Sequence, residues 1–247
     1  MKFSILRSRT IALFMLTASV ILYWLDYQVA GKSGEVIVGF LGNLAFLPIY
    51  VLFVTLMIER VIKERERSAI RQKLNMVIGV FFSEVGTELI RDGFGFVQDA
   101  DELRGQLAIT PQWTDQQFRD LLAYLKSRRF NIDSRKGCLV ELKGFLTEKR
   151  QFMLGLLENP NLLEHDEFSD LLWAVFHLLE ELASRRSMEG LPPTDLDHLS
   201  GDISRAYELL IREWVVYMQH LKNDYPYLFS LAVRMNPMNP EAHAEIY

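Results

Sequence analysis

The chain has 247 residues, a net charge of −5 and a single cysteine, Cys138. That length supports one domain with a sizeable core beyond any membrane segment, and one cysteine excludes an internal disulfide or a cysteine-rich metal site. Residues 1–91 hold eleven basic and seven acidic side chains, whereas residues 92–247 hold sixteen and twenty-five; so acidic a main domain excludes a nucleic-acid partner, because phosphate contacts demand clustered Lys and Arg.

Residues 10–25 run sixteen positions without a charge and residues 36–58 run twenty-three. The second stretch, as a helix, reaches about 34 Å, enough for a hydrocarbon core of about 30 Å. The first needs its flank, where Tyr23, Trp24 and Tyr27 suit the headgroup level. The expectation is a transmembrane hairpin with spans over about 10–29 and 36–58. A soluble core hairpin is disfavoured, since buried soluble helices seldom run so long uncharged. A cleaved signal peptide is the competing reading of the first span, with Ala30 and Gly31 near a small-residue site.

Lys2, Arg7 and Arg9 precede the first span, and only Lys32 lies between the two. Arg60, Lys63, Arg65, Arg67, Arg71 and Lys73 follow the second. Both basic flanks place the termini on the cytoplasmic side of the inner membrane. Arg60, Lys63, Arg65 and Arg67 are then the expected contacts to anionic lipid headgroups. Within the second span, Gly39, Gly42 and Asn43 share a face on which another helix packs, with Ser19 at matching depth as a hydrogen-bond partner. Pro48 breaks one backbone hydrogen bond and bends the helix. Neither uncharged run, 10–25 or 36–58, carries an Asp, Glu, Lys, Arg or His, which argues against a transport path.

Residues 59–91 are expected as a juxtamembrane stalk helix, with Glu59–Lys63, Arg60–Glu64 and Glu64–Arg67 at ion-pair spacing. The apolar run from Met76 to Val85 requires cover from the following domain or another subunit. Residues 92–247 are expected as an all-α cytoplasmic domain. Thr114 and Gln117 make a capping box, with Trp113 and Phe118 as a hydrophobic staple. That helix reaches Arg128-Arg129. Others are predicted over 137–158, 166–186 and from Thr194 or Asp195 to 222, with a short last one starting at Pro226. The run 138–142 reads as a strand only in isolation, and Cys138 within it reads as an inert small hydrophobe.

No phosphate loop, nucleophile elbow or metalloprotease motif is present. Among the five histidines, His177 with Glu180 and Glu181 is the most suggestive metal candidate. A bundle metal site wants an ordered Glu-x-x-His on two helices, and here the order is reversed and the second copy missing. No cofactor is therefore expected, and His177 reads first as a boundary histidine beside solvated acids. Glu213 and His220 complete such a site only by chance of packing. His165 reads as a helix cap, while His198 reads only as lying near another helix start and His243 as lying in the tail.

Residues 213–231 are dense in aromatics. They read first as core packing around a proline turn, and alternatively as a docking surface of Trp214, Tyr217, Tyr225, Tyr227 and Phe229. This segment, with Asn236-Pro237 and Phe81-Phe82-Ser83-Glu84-Val85-Gly86, resembles an uncharacterised family of prokaryotic two-span membrane proteins. The resemblance covers most of the chain and implies the same architecture, with no activity or site residue attached.

The expected function is a membrane-anchored helical scaffold or adaptor acting on a protein partner or as a homo-oligomer. Two readings compete with it: a sensor of membrane state signalling through the stalk, and a metal-dependent bundle enzyme.

Overall fold

The computed structural model describes residues 13–22, 24–25, 27–28, 35–159, 162 and 165–245; the side chains of 35–38, 40, 67 and 69–71 fall outside that description. The helices are α1 (Leu13–Leu22), α2 (Glu35–Phe81), α3 (Thr87–Gly93), α4 (Ala100–Gln106), α5 (Asp115–Ser127), α6 (Leu139–Glu148), α7 (Arg150–Leu157), α8 (Asp166–Ser184), α9 (Pro193–Asp224) and α10 (Pro226–Arg234). Among the described residues, the β pairing is one isolated antiparallel bridge, Val97 with Ile132. The all-α expectation therefore holds. The chain divides into two compact units, Met1–Ala69 and Ile70–Tyr247.

In the first unit, one segment among the described residues, Leu41–Glu66 of α2, is long and apolar enough to cross a membrane, with mean hydropathy 2.1. Among the described residues, the shorter apolar helix Leu13–Leu22 counts ten residues, about 15 Å, and residues 24–25 and 27–28 are also helical. The two-span expectation thus reduces here to one candidate span. Much of the flank that the first span needs, including Tyr23, lies outside the described residues, as do Lys2, Arg7, Arg9 and Lys32.

The α1–α2 contact uses a different face of α2 from the expected one. Ser19 Oγ donates to the Ala45 carbonyl at 2.8 Å, and Ser19, Ala45 and Pro48 are buried. Gly42 is half-buried, whereas Asn43 and Gly39 are exposed, and a Cβ on Gly39 would meet nothing within 4 Å. Of the expected small-residue face, only Gly42 is partly covered among the described residues. The serine instead bonds in the turn where Pro48 removes a backbone donor.

In the second unit, the last turns of α2 are core rather than free stalk. Leu74, Ile78 and Phe81 join one buried cluster with Phe82, Val85, Leu89 and Ile90. The chain passes from α2 to α3 through a π turn, Phe82–Gly86. That turn places two consecutive aromatics inside: Phe81 lies edge-on to Phe168 at 5.3 Å, and Phe82 stacks on Tyr217 at 5.0 Å. The cover required by the apolar run comes from this unit itself, although Met76 and Val80 stay exposed.

The capping box forms as predicted: Thr114 N donates to Gln117 Oε1 at 2.8 Å, and Gln117 N donates to Thr114 Oγ1 at 3.4 Å. Trp113 and Phe118 meet edge-on beside it. The single helix expected over 137–158 is two, α6 and α7, parted at Lys149 (φ −82°, ψ 0°), a break that no Gly or Pro signals. The run 138–142, for which a strand is only the alternative to the expected helix, leads into α6, and Cys138 at its N-cap is exposed rather than buried. Helix α4 falls in a stretch for which the sequence predicts no element.

The longest pair of helices in this unit, α8 and α9, packs together more extensively than any other. Residues 185–192 connect them, with Gly190 in the left-handed region at φ 71° and Pro192-Pro193 opening α9.

Candidate functional site

The α8–α9 seam gathers the densest set of metal-ligating side chains among the described residues. Its apolar floor is the stripe Phe168, Leu171, Leu172, Val175, Leu178, Leu179 and Leu182 of α8, against Leu199, Ile203, Ala206 and Leu210 of α9. At the edge of the stripe, His177 and Glu181 sit four apart on α8, one above the other. Facing them, His198 and Asp202 sit four apart on α9.

His198 Nε2 lies 3.2 Å from Asp202 Oδ2 and 3.5 Å from Glu181 Oε2; His177 Nε2 lies 3.6 Å from Asp202 Oδ1. One ligand atom each from His177, Glu181 and Asp202 falls within 4.8 Å of the others. Asp202 is the buried member, its side chain 4% exposed, and its Oδ2 accepts no hydrogen bond. The histidines are open to solvent, 46% and 53% exposed.

Two arginines flank the cluster. Arg185 donates to Glu181 Oε2 at 2.9 Å and to Asp195 at 2.6 and 2.8 Å. Its hydrogen bonds hold both carboxyls below their ordinary range, with His198 adding a smaller pull on each. Arg205 approaches Asp202 Oδ1 at 3.4 Å from an exposed position.

Of the sequence candidates, His177 and Glu181 belong to this cluster. Glu180 does not: it turns to α7, accepting from Arg150 at 2.8 Å, whose guanidinium also lies over Phe176. Glu213 and His220 follow Asp202 by eleven and eighteen residues on α9, a rise of about 16 Å or more, so they take no part. His220 pairs with Asp224 at 2.7 Å and Asn75 at 3.1 Å. His165 caps α8 as expected, its Nδ1 accepting from Phe168 N at 3.1 Å. The sequence reading missed His198 and Asp202. The signal was present: His-x-x-x-Glu on α8 is followed by His-x-x-x-Asp on α9, in the same order.

The aromatic segment divides. Trp214 and Phe229 are buried in the core, and Tyr217 and Tyr225 are half-buried against it, as the core-packing reading expects, which corrects the alternative of a docking surface for these four. Tyr227 alone of the five is exposed, at 70%, with Leu228 and Leu231 beside it in α10. On α2, Arg60 and Lys63 make the expected pairs with Glu64 at 3.2 Å and Glu59 at 2.6 Å, and Arg65 is exposed. The Arg67 side chain, and so its expected pair with Glu64, lies outside the described residues.

Residues 70–234 match a family described as "Uncharacterized protein MJ1433, C-terminal helical domain", and residues 4–62 match its N-terminal helical domain. A protein of Methanocaldococcus jannaschii, named "Uncharacterized protein MJ1433", is 43% identical over 229 residues, covering 93% of this chain and 92% of its own length. No solved structure matches the chain. The two family segments meet the two compact units within a few residues of Ala69–Ile70, and the chain belongs to the MJ1433 family.

Proposed function

We propose that the chain is a membrane-anchored module whose helical domain works at the cytoplasmic face through protein contacts. The observation that carries this reading is the apolar surface of α2. Phe46, Leu47, Tyr50, Phe53, Leu56 and Met57 point away from any cover, a face costly to leave in water and natural in lipid. The exposed Arg60, Lys63 and Arg65 follow directly, where they would meet anionic headgroups and keep the helical domain on the cytoplasmic side. A second span through α1 completes the hairpin in this reading. Ser19 supports it, because a buried hydroxyl bonded to a neighbouring helix's carbonyl is a common contact between spans.

The contact surface in this reading centres on Tyr227, Leu228 and Leu231, apolar side chains left exposed on α10. The test is twofold. Alkaline extraction of membranes should leave the full chain in the pellet, and a carboxy-terminal reporter should be active only as a cytoplasmic fusion. A photo-cross-linking residue at 227 should give a discrete adduct in native membranes. Release by alkali, or an external carboxy terminus, overturns the anchor; recovery of monomer alone overturns the contact surface.

The sensor reading draws on the continuity of α2, a single helix from Glu35 to Phe81 that ends in a π turn. Spin-label distances across residues 59–80 should change with bilayer thickness or charge if it is right, and stay constant if α2 is only an anchor.

A further inference from the structure

We propose that His177, Glu181, His198 and Asp202 form a zinc site that ties α8 to α9. The inference is independent of the membrane anchor. It rests on two separate observations, the geometry of the donors and an unsatisfied buried carboxylate.

Zinc binds imidazole nitrogen at about 2.0–2.1 Å and carboxylate oxygen at about 2.0–2.2 Å, usually as a tetrahedron, so neighbouring donors stand about 3.4 Å apart. The nitrogen–oxygen separations are 3.5 and 3.6 Å across the seam and 3.2 Å between His198 and Asp202 within α9. Each helix supplies one imidazole and one carboxylate at i, i+4, the spacing that brings two side chains of a helix to one point. Ligand atoms of His177, Glu181 and Asp202 thus converge within 4.8 Å of one another, and the His198 imidazole borders two of these residues at 3.2 and 3.5 Å.

Asp202 supplies the second observation. Its carboxylate is removed from water, and Oδ2 accepts no hydrogen bond, with the His198 imidazole nitrogen 3.2 Å away. A buried anionic oxygen left in that state is costly, and a cation beside it removes the cost. Two carboxylates match the charge of a divalent ion, and two imidazoles select a borderline transition metal over magnesium or calcium, which take oxygen donors. The half-exposed histidines leave an entry path from solvent.

The surrounding charges are compatible with this assignment. Arg185 is neutralised by Asp195 and fixes the Glu181 carboxylate, the orienting role that outer groups play at metal sites. Arg205 competes for Asp202 Oδ1, but its side chain is 62% exposed and can swing into water.

The test uses full-length protein expressed without a polyhistidine tag, solubilised in detergent and stripped with a chelator. Calorimetric titration with Zn²⁺ should show one ion per chain, and Mg²⁺ should show none. Cobalt should give the intense visible absorption of a tetrahedral site. His177→Ala and His198→Ala should each weaken zinc binding at least about tenfold, and the double variant should abolish it. Zinc should raise the melting temperature of the wild type and not that of the double variant. Both histidines are half-exposed, so their removal should leave the helical circular dichroism intact even if Asp202→Asn disturbs folding. Equal zinc affinity in the wild type and the double variant, or no saturable binding by the wild type, overturns the assignment.

Discussion

Glu213 offers the sharpest quantitative test of the fold. It lies in the middle of α9, 3% exposed, beside Trp214, and its Oε2 accepts no hydrogen bond. Burial is the main reason its carboxyl is pushed from 4.5 up to about 7; Glu167 adds to the rise, and Arg212 and Lys126 offset part of it. The folded chain therefore holds this proton more tightly than the unfolded chain. The stability it contributes is complete below about pH 4.5, falls as the pH rises toward 7, and is gone above that.

The size follows from linkage. A displacement from 4.5 to about 7 corresponds to roughly 3 kcal/mol, of which about 1 kcal/mol is already lost at pH 5 and nearly all at pH 8. Glu213→Gln removes the ionisation while keeping shape and polarity. Its stability relative to wild type should therefore improve by about 2–3 kcal/mol between pH 5 and pH 8. Urea unfolding of the detergent-solubilised full chain, followed by tryptophan fluorescence, reads this directly, with Trp214 as the neighbouring reporter. Other titrating groups cancel in the comparison between the two proteins. A wild-type–variant difference that stays flat with pH would refute both the burial and its consequence.

Two substitutions probe packing at positions of opposite character. A Cβ at Gly93 would stand 2.5 Å from the buried ring of Tyr207, whose hydroxyl is held by the Ile90 carbonyl at 3.0 Å, so Gly93→Ala should cost about 1–3 kcal/mol in urea unfolding. Gly155 in α7 has nothing within 4 Å of that position, and Gly155→Ala should gain about 0.5–1 kcal/mol. Thr114→Ala removes the oxygen that caps α5 and should cost about 1 kcal/mol, seen also as faster amide exchange in the first turn of that helix.

The parts of this fold that were legible in the sequence are those decided locally. The cap at Thr114, the proline at the start of α10 and the leucine stripe of α8 are each set within a few residues of chain, and each helix start falls where those signals put it. The break at Lys149 carries no such signal. It separates two helices that pack on α8 in their own ways, so tertiary contact decides it. The face of α2 that meets α1 differs from the expected one for the same reason: Gly39 and Asn43 advertise close approach, but Ser19 meets Ala45 two residues away from Asn43.

The histidine pairs show where periodicity stops informing. A 3.6-residue period tells which apolar side chains turn inward, and it says nothing of what stands opposite a polar one. His198 and Asp202 occupy the same edge of α9, four residues apart. One is half in water and the other is sealed from it, although both face acidic or imidazole groups of α8. No local feature of the sequence distinguishes them. Only the repetition of His-x-x-x-acid on two helices hints that the edges face each other, and that hint becomes an argument when the helices are long enough to pack in register. Glu213 makes the same point from the other side. Eleven residues further along α9 a second carboxylate is buried, with Glu167 rather than an imidazole as the neighbour that shifts it most after burial, and there burial raises its proton affinity instead of preparing it for a cation.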